Sequence, residues 1–104
     1  MPEFRVYVVE LSAEACKRTN CASRQTGKPH VYVGETKKTP EQRLADHRAG
    51  GFTSRPVVRK HNIDLLPRLY QAMRICRTRT ESKAAEARLA ARLRRRGHCV
   101  FGGH

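Results

Sequence analysis

Two short segments, each centred on a tyrosine, constrain the fold of this chain more than any other feature of its sequence. Residues 5–9 (RVYVV) and 30–34 (HVYVG) are short and rich in valine, which is typical of β-strands. Residues 4–11 place Phe4, Val6 and Val8 on alternate positions, and this pattern predicts a strand with one buried side. Antiparallel pairing of the two strands is expected to bring Tyr7 and Tyr32 into the same neighbourhood.

The clearest helix follows the second strand. Residues 39–42 (TPEQ) combine a threonine cap, a proline at the first helical position and a capping-box glutamine. Residues 50–51 (GG) are expected to end the helix. Arg43 and His47 are four residues apart, so both side chains are predicted on one face of this helix, with Leu44 as a core anchor.

The other elements carry weaker signals. Residues 12–28 lack a helical or strand period, and we interpret them as a long, mobile hairpin loop. A short basic helix is predicted over 55–61, starting at Pro56, and a third strand over 68–76. The last helix is predicted from its cap at Thr80 to Gly97, with Glu86 leaning toward the packed side. Residues 99–101 predict either a short strand or a packed tail.

The charge of the chain points to a polyanionic partner. Its 104 residues suffice for one domain, residues 1–104, without a second core. Lysine and arginine number 22 against nine acidic residues, a formal net charge of +13. Asp64 is the only acidic residue between Asp46 and Glu81, an interval that holds eight lysines and arginines. Because a surface that serves only solubility mixes the two signs, this asymmetry favours a nucleic-acid-binding face.

Membrane and metal signals are weak. No segment resembles a signal peptide or a membrane span, so we expect a soluble, intracellular protein without a membrane partner. In that location the four cysteines are expected as free thiols. Cys16 and Cys21 have the spacing of a zinc-ligand pair, whereas Cys76 and Cys99 are isolated in the sequence, so structural zinc is the less favoured alternative.

The types and the order of several residues in this chain resemble the motifs of the GIY-YIG nuclease family, and the chain looks like a small single-domain member of it. The strongest stretches are residues 31–36 (VYVGET) and 42–47 (QRLADH), followed by Glu86 on a helix that ends near Gly97. The resemblance covers most of the chain. It implies an α+β fold with a small three-stranded antiparallel sheet flanked by helices, and an activity that hydrolyses phosphodiester bonds with the help of a metal ion.

The resemblance also implies a role for each site residue, and each role makes chemical sense. Tyr7 or Tyr32 would activate water, with a nearby cation lowering the phenol pKa from its usual value of about 10. Arg43 would bind phosphate oxygens, and His47 would relay a proton or orient a tyrosine. Glu86 would anchor one Mg²⁺ or Mn²⁺ ion. Gly34 would leave room for the substrate backbone or for close helix packing.

Two departures from the family pattern keep a second hypothesis open. The first motif retains only Tyr7, and Phe101 stands where relatives often have an asparagine. The leading hypothesis is a metal-dependent DNA endonuclease with low or structure-based specificity. The alternative is a nucleic-acid-binding module of the same fold with weakened catalysis.

The expected partner is DNA, with RNA left open. Backbone contacts are predicted for six basic residues: Arg48, Arg55, Arg59, Lys60, Arg88 and Arg92. Since one domain leaves no separate DNA-binding unit, we expect low sequence specificity, a structure-selective substrate, recruitment by another protein or homodimerisation. The expected location is the cytoplasm, with nucleoid association as an option.

Overall fold

The computed structural model describes residues 3–16, 21–50 and 55–102, which form an α+β domain. A four-stranded mixed sheet, ordered β3-β1-β2-β4, is flanked by four helices. The strands are β1 (Arg5–Leu11), β2 (His30–Thr36), β3 (Asn62–Leu65) and β4 (Val100–Gly102). The helices are α1 (Ala22–Thr26), α2 (Pro40–Ala49), α3 (Pro56–His61) and α4 (Arg79–Arg95).

The sheet differs from the predicted three antiparallel strands. β1 pairs antiparallel with β2 and β3 as such a sheet requires, but β4 adds a fourth strand that runs parallel to β2. The strand predicted over 68–76 is wrong, because that segment holds a 3₁₀ turn at Pro67–Leu69 and then turns. The third strand is instead β3, whose four residues are half-exposed or exposed. An edge strand this short has little apolar pattern to read.

The prediction that β1 buries only one side is also wrong. Val6 and Val8 on one side and Tyr7 and Val9 on the other are all at most 4 % exposed. Helix α4 packs against β1 and β2, and helices α2 and α3 also pack against β1. β1 is an inner strand with helices packed against it, so side chains on both of its sides lie in the core. A strand that alternated apolar and polar residues would leave one of these sides without apolar side chains.

Local helix signals are confirmed where their capping chemistry is strong. The Thr39 hydroxyl accepts the Gln42 N–H at 3.2 Å and the Gln42 side chain accepts the Thr39 N–H at 3.1 Å, which completes the predicted capping box of α2. Gly50 ends α2 with a left-handed φ of 73°. Leu44 is buried as predicted, and α3 starts at Pro56.

Helix α4 begins two residues before its predicted start. Thr78, not Thr80, is the cap, because its hydroxyl accepts the Glu81 N–H at 3.1 Å. The Glu81 carboxylate in turn accepts the Arg77 N–H at 3.2 Å, which fixes the entry into the helix. No described helix, α4 included, is both long and apolar enough to cross a membrane.

The connection between β1 and β2 is more structured than predicted. Its described residues include a 3₁₀ turn at Ala13–Ala15 and the short helix α1, although residues 17–20 lie outside the described residues. Thr26 at the end of α1 donates to the Gly97 carbonyl at 2.8 Å. This hydrogen bond links the connection to the segment that enters β4.

Candidate active site

Most of the site residues predicted from the sequence line one cleft of about 660 Å³. Its lining includes Tyr7 from β1, Tyr32 and Gly34 from β2, Arg43 from α2 and Glu86 from α4. His47, fully buried on α2, contacts both tyrosine rings beneath the cleft, with ring centroids 6.2 Å and 5.9 Å away. Residues from four elements, separated by up to 79 positions in the sequence, therefore meet at one place.

Strand register explains how the two tyrosines meet. Tyr7 pairs with Gly34 while Tyr32 pairs with Val9, so the tyrosines lie diagonally on one side of the sheet, with ring centroids 6.3 Å apart. A Cβ atom on Gly34 would lie 2.7 Å from the Tyr7 hydroxyl oxygen and 2.9 Å from a Tyr32 ring carbon. The missing side chain at Gly34 thus makes room for the tyrosine rings.

Replacing Gly34 should test this packing directly. We expect Gly34→Ala to lower the free energy of unfolding by about 1–3 kcal/mol, because the added methyl group overlaps two buried rings. Urea denaturation followed by circular dichroism measures the change. A Gly34→Ala variant as stable as the wild type would contradict the packing argument.

The hydrogen bonds of His47 assign its proton. The Arg55 backbone N–H donates to Nδ1 of His47 at 3.3 Å, so Nδ1 is an acceptor and the ring proton sits on Nε2. Nε2 lies 2.9 Å from the Tyr7 hydroxyl oxygen, to which it therefore donates. Burial, and then the charge of Arg43, lower the pKa of His47 to about 4, which keeps the ring neutral at neutral pH.

The neutral His47 should appear in the pH dependence of stability. Its pKa is about 4 in the folded protein and near 6.5 when unfolded, so between these values the unfolded chain binds more protons. The His47 contribution is complete above pH 6.5 and is lost as pH falls toward 4, roughly 3 kcal/mol in all.

Other groups also titrate in this pH range, so the unfolding free energy is measured for both wild type and His47→Gln. The difference between the two pH profiles isolates the contribution of His47. We expect the variant to be less stable at neutral pH and to lose less stability on acidification. Parallel pH profiles for the two proteins would contradict the assignment.

The two tyrosines differ in their surroundings. Burial and the neighbouring Tyr32 raise the pKa of Tyr7 well above its usual value, while the charge and hydrogen bond of Arg43 act in the opposite direction. Burial also raises the pKa of Tyr32, opposed by a hydrogen bond and the charge of Arg55. Tyr7 thus receives hydrogen bonds from both His47 and Arg43, and a further cation nearby would lower the pKa of Tyr7 in the same direction as Arg43 does.

Two carboxylates with buried side chains, Glu35 and Glu86, also line the cleft. Glu86 is 5 % exposed, as its predicted lean toward the packed side requires, and its Oε2 is 4.0 Å from Nζ of Lys83. Glu35 accepts from the Ser82 hydroxyl at 3.0 Å and from Arg79 at 3.2 Å. Lys83 also lies 3.8 Å from Glu35, so one lysine stands between the two carboxylates.

Glu35 is a site residue to which the sequence reasoning gave no role. Its position directly after Gly34 was the available signal, because a residue next to a predicted site glycine shares its end of the strand. Its carboxylate is held by Ser82, Arg79 and Lys83. The buried carboxylate of Glu86 is an oxygen ligand of the type that a hard cation with several waters takes.

The cleft is positively charged. Its described lining holds six cations against three carboxylates, Glu35, Asp46 and Glu86. The six cations are Lys37, Lys38, Arg43, Arg55, Arg79 and Lys83. Low-dielectric walls around such an excess raise the local concentration of an anionic ligand.

Of the six basic residues predicted to contact nucleic acid, Arg55 alone lines the cleft. Arg48 donates to the Asn62 side chain at 2.7 Å and to the Ile63 carbonyl at 2.8 Å, beside β3. The other four are exposed on α3 and α4 and do not line the cleft: Arg59, Lys60, Arg88 and Arg92. Lys37 and Lys38, which do line it, had no predicted role.

A second group of ligand-type side chains lies outside the cleft. The ligand atoms of Cys16, Cys21, His30 and Cys99 all lie within 4.8 Å of one another. Cys99 is isolated in the sequence but not in the fold, because the chain brings it against Cys16 and Cys21. The prediction that Cys99 stands apart from this pair is therefore wrong. Cys76 lies apart, with its thiol 3.8 Å from the Arg74 carbonyl.

Comparisons with protein-family models, with curated proteins and with solved structures give no match to this chain. The family resemblance consequently rests on the residues themselves.

Proposed function

We propose that this protein is a small metal-dependent endonuclease that hydrolyses phosphodiester bonds in DNA. The observation that carries the proposal is the meeting of Tyr7, Tyr32, Arg43 and Glu86 in one positively charged cleft. Each residue alone has an ordinary structural explanation. A proton acceptor, a phosphate-binding guanidinium and a buried carboxylate around one cavity are the groups that phosphodiester hydrolysis requires.

Tyr7 is the proposed general base. Its hydroxyl oxygen accepts the Nε2 proton of His47 and a hydrogen bond from Arg43, so a phenolate there would keep two donors. Tyr7 first gives its own proton to solvent. Water then attacks phosphorus and gives a proton to the phenolate oxygen, while the bond to the leaving oxygen breaks and that oxygen takes a proton from solvent. Arg43 stabilises the charge on the phosphate oxygens with its fixed donor fork. Tyr32, held by Arg55, orients the substrate.

Glu86 is the proposed ligand of a single Mg²⁺ or Mn²⁺ ion. When bound, such an ion polarises the phosphate and lowers the pKa of nearby hydroxyl groups. Glu86 offers a buried, preoriented carboxylate, and Lys83 beside it limits the cost of its negative charge before an ion arrives.

The proposed substrate is DNA, bound through its backbone. The cations of the cleft attract phosphate, and the exposed arginines of α4 extend the positive surface beyond it. Contacts of this kind carry no base information, which supports low or structure-based specificity. Selectivity would come from a recruiting protein or a second copy of the chain, acting in the cytoplasm or at the nucleoid.

Plasmid cleavage tests the proposal. Purified protein and supercoiled plasmid are incubated with Mg²⁺, with Mn²⁺ or with a chelator, and the products are resolved on agarose. We expect nicked and then linear DNA only with the divalent ions. Intact plasmid under all conditions, from protein that is folded and binds DNA, would reject the nuclease.

The second candidate is a nucleic-acid-binding module with weakened catalysis. Phe101 favours it, because this residue pairs with Tyr32 and lines the cleft at the position where the resemblance leads one to expect an asparagine. An apolar ring there supplies no hydrogen bond to a substrate or to water. A binding module would bind DNA with the usual strong salt dependence, yet divalent ions would change neither its thermal stability nor the plasmid.

A further inference from the structure

The cysteine and histidine cluster lies apart from the cleft and has no part in the proposed hydrolysis. Cys16 follows the 3₁₀ turn after β1, Cys21 precedes α1, His30 opens β2 and Cys99 precedes β4. None of the four lines the cleft. Cys16, Cys21 and His30 are at most 6 % exposed and Cys99 is half-buried. Three thiols and an imidazole enclosed together need an explanation that core packing alone does not provide.

We propose that Cys16, Cys21, His30 and Cys99 bind one zinc ion in a closed, tetrahedral structural site. Zinc–sulfur bonds of about 2.3 Å and zinc–nitrogen bonds of about 2.0–2.1 Å place neighbouring ligand atoms about 3.5–4 Å apart. The four ligand atoms already lie within 4.8 Å of one another, and Cys21 Sγ is 3.6 Å from His30 Nε2. Only a small contraction separates this arrangement from a coordinated one.

The hydrogen bonds around His30 present the correct nitrogen to a metal. The Ser23 hydroxyl donates its proton to the Lys28 carbonyl, so its oxygen is left to accept from Nδ1 of His30, 3.4 Å away. That proton on Nδ1 leaves the lone pair of Nε2 facing Cys21. A metal-binding histidine commonly has its second nitrogen fixed in this way by an outer partner. Ser23 is 1 % exposed, which keeps this hydrogen bond away from water.

Charge around the cluster also favours a bound zinc ion. Three thiolates and one neutral imidazole on Zn²⁺ leave a net charge of −1. Arg24 reaches the cluster, because its guanidinium donates to the Cys16 carbonyl at 2.5 Å. The chain as a whole is strongly basic, so a small anionic centre is electrostatically favourable within it.

The site would hold β4 against the rest of the sheet. The Cys99 carbonyl accepts the Val31 N–H at 2.9 Å, and the His98 ring donates to the Pro29 carbonyl at 2.8 Å. Through Cys99, zinc would link this short parallel strand to three ligands that lie more than 65 positions earlier in the chain. Phe101 and Gly102 of β4 line the cleft, so the ion would support one wall of it from outside.

Metal content and cobalt substitution test the zinc site on the wild-type chain. Protein purified under reducing conditions should contain one zinc per chain by elemental analysis. After chelation and refilling with Co²⁺, it should show thiolate-to-cobalt charge transfer and the visible bands of tetrahedral cobalt. Absence of stoichiometric zinc together with absence of the cobalt bands would overturn the proposal, as would a disulfide among the three cysteines in freshly reduced protein.

Variants locate the ion. Cys99→Ser should bind zinc at least tenfold more weakly, whereas Cys76→Ser, a change at a buried cysteine outside the cluster, should retain one zinc. Ser23→Ala keeps all four ligands and should weaken binding about tenfold, because His30 loses its outer partner. A chelator should lower the melting temperature of wild type and Cys76→Ser. Equal zinc affinity in Cys99→Ser and wild type would overturn the assignment of ligands.

The zinc proposal and the nuclease proposal fail separately. Glu86→Gln should leave zinc content unchanged, since Glu86 lies in the cleft and not in the cluster. Zinc retained without plasmid cleavage would reject only the nuclease, and cleavage by a protein that lacks both stoichiometric zinc and the cobalt bands would reject only the zinc site.

Discussion

Glu86→Gln should abolish the divalent-ion-dependent cleavage of DNA, lowering its rate by at least about 100-fold. Glutamine keeps the shape of the side chain but removes the negative charge that holds a hard cation. The residue is 5 % exposed, and a charge shielded from water attracts a cation more strongly than an exposed one, so its loss should be felt strongly. DNA binding should persist or strengthen slightly, because one carboxylate disappears from a cleft that otherwise attracts phosphate.

The matched control is Glu81→Gln, the same chemical change on the same helix. Glu81 is exposed and lies outside the cleft lining, where it caps the start of α4. The Glu81→Gln variant should be somewhat less stable than wild type but should cleave DNA with the same specific activity. A second measurement is independent of turnover: Mg²⁺ should raise the melting temperature of wild type and Glu81→Gln but not of Glu86→Gln. Full cleavage by Glu86→Gln, or an equal Mg²⁺ effect on all three proteins, would remove Glu86 from the metal site.

The sequence predicts best those parts of this molecule that depend on neighbouring residues. The capping box of Thr39 and Gln42 is a contact across three positions, and the end of α2 at Gly50 depends on one backbone conformation. The meeting of Tyr7 and Tyr32 followed from the pairing of two adjacent strands. Arg43 and His47 reach the same site because they occupy one helical face. Apart from the pairing of the two strands, each of these features needs only a few residues of context.

Features that depend on distant contacts were missed for a physical reason. A short strand was one of two alternatives for residues 99–101, but its parallel pairing with β2 was not predicted, because that pairing depends on how α4 returns the chain and not on the pattern of three half-buried residues. Cys99 is 69 positions from His30, so no ligand spacing could connect them. The two-sided burial of β1 likewise depends on helices later in the chain, and its alternation of residue types gave the wrong answer.

Glu35 shows the same limit within the site. Its neighbours Ser82, Arg79 and Lys83 all come from the start of α4, more than 40 positions away. In the sequence it is one acidic residue next to Gly34, with no sign of these partners. In the fold it is a buried carboxylate that ties β2 to α4 and fixes Lys83 near Glu86. The part of the site that positions the functional groups is thus harder to predict than the groups themselves.

Tyr7→Phe should reduce DNA cleavage by roughly 100- to 10,000-fold, the range that loss of a general base produces. The ring stays in place between Tyr32 and His47, so the fold should persist. The Nε2 proton of His47 would lose its acceptor in a buried position, which should lower the free energy of unfolding by about 1–3 kcal/mol. Rate and stability should both fall, while DNA binding should change little.

The chain supplies two comparisons for this change. Tyr70 is also buried, at 9 % exposure, but lies outside the cleft, so Tyr70→Phe should cleave DNA at the wild-type rate. Tyr32→Phe removes a hydroxyl from the cleft itself and should cost less activity than Tyr7→Phe, because Tyr32 lacks the donation from His47 that prepares Tyr7. Single-turnover rates at saturating DNA separate these effects from binding. If Tyr32→Phe lost more than Tyr7→Phe, the base would be Tyr32, and the hydrogen bond from His47 would serve packing and not proton transfer.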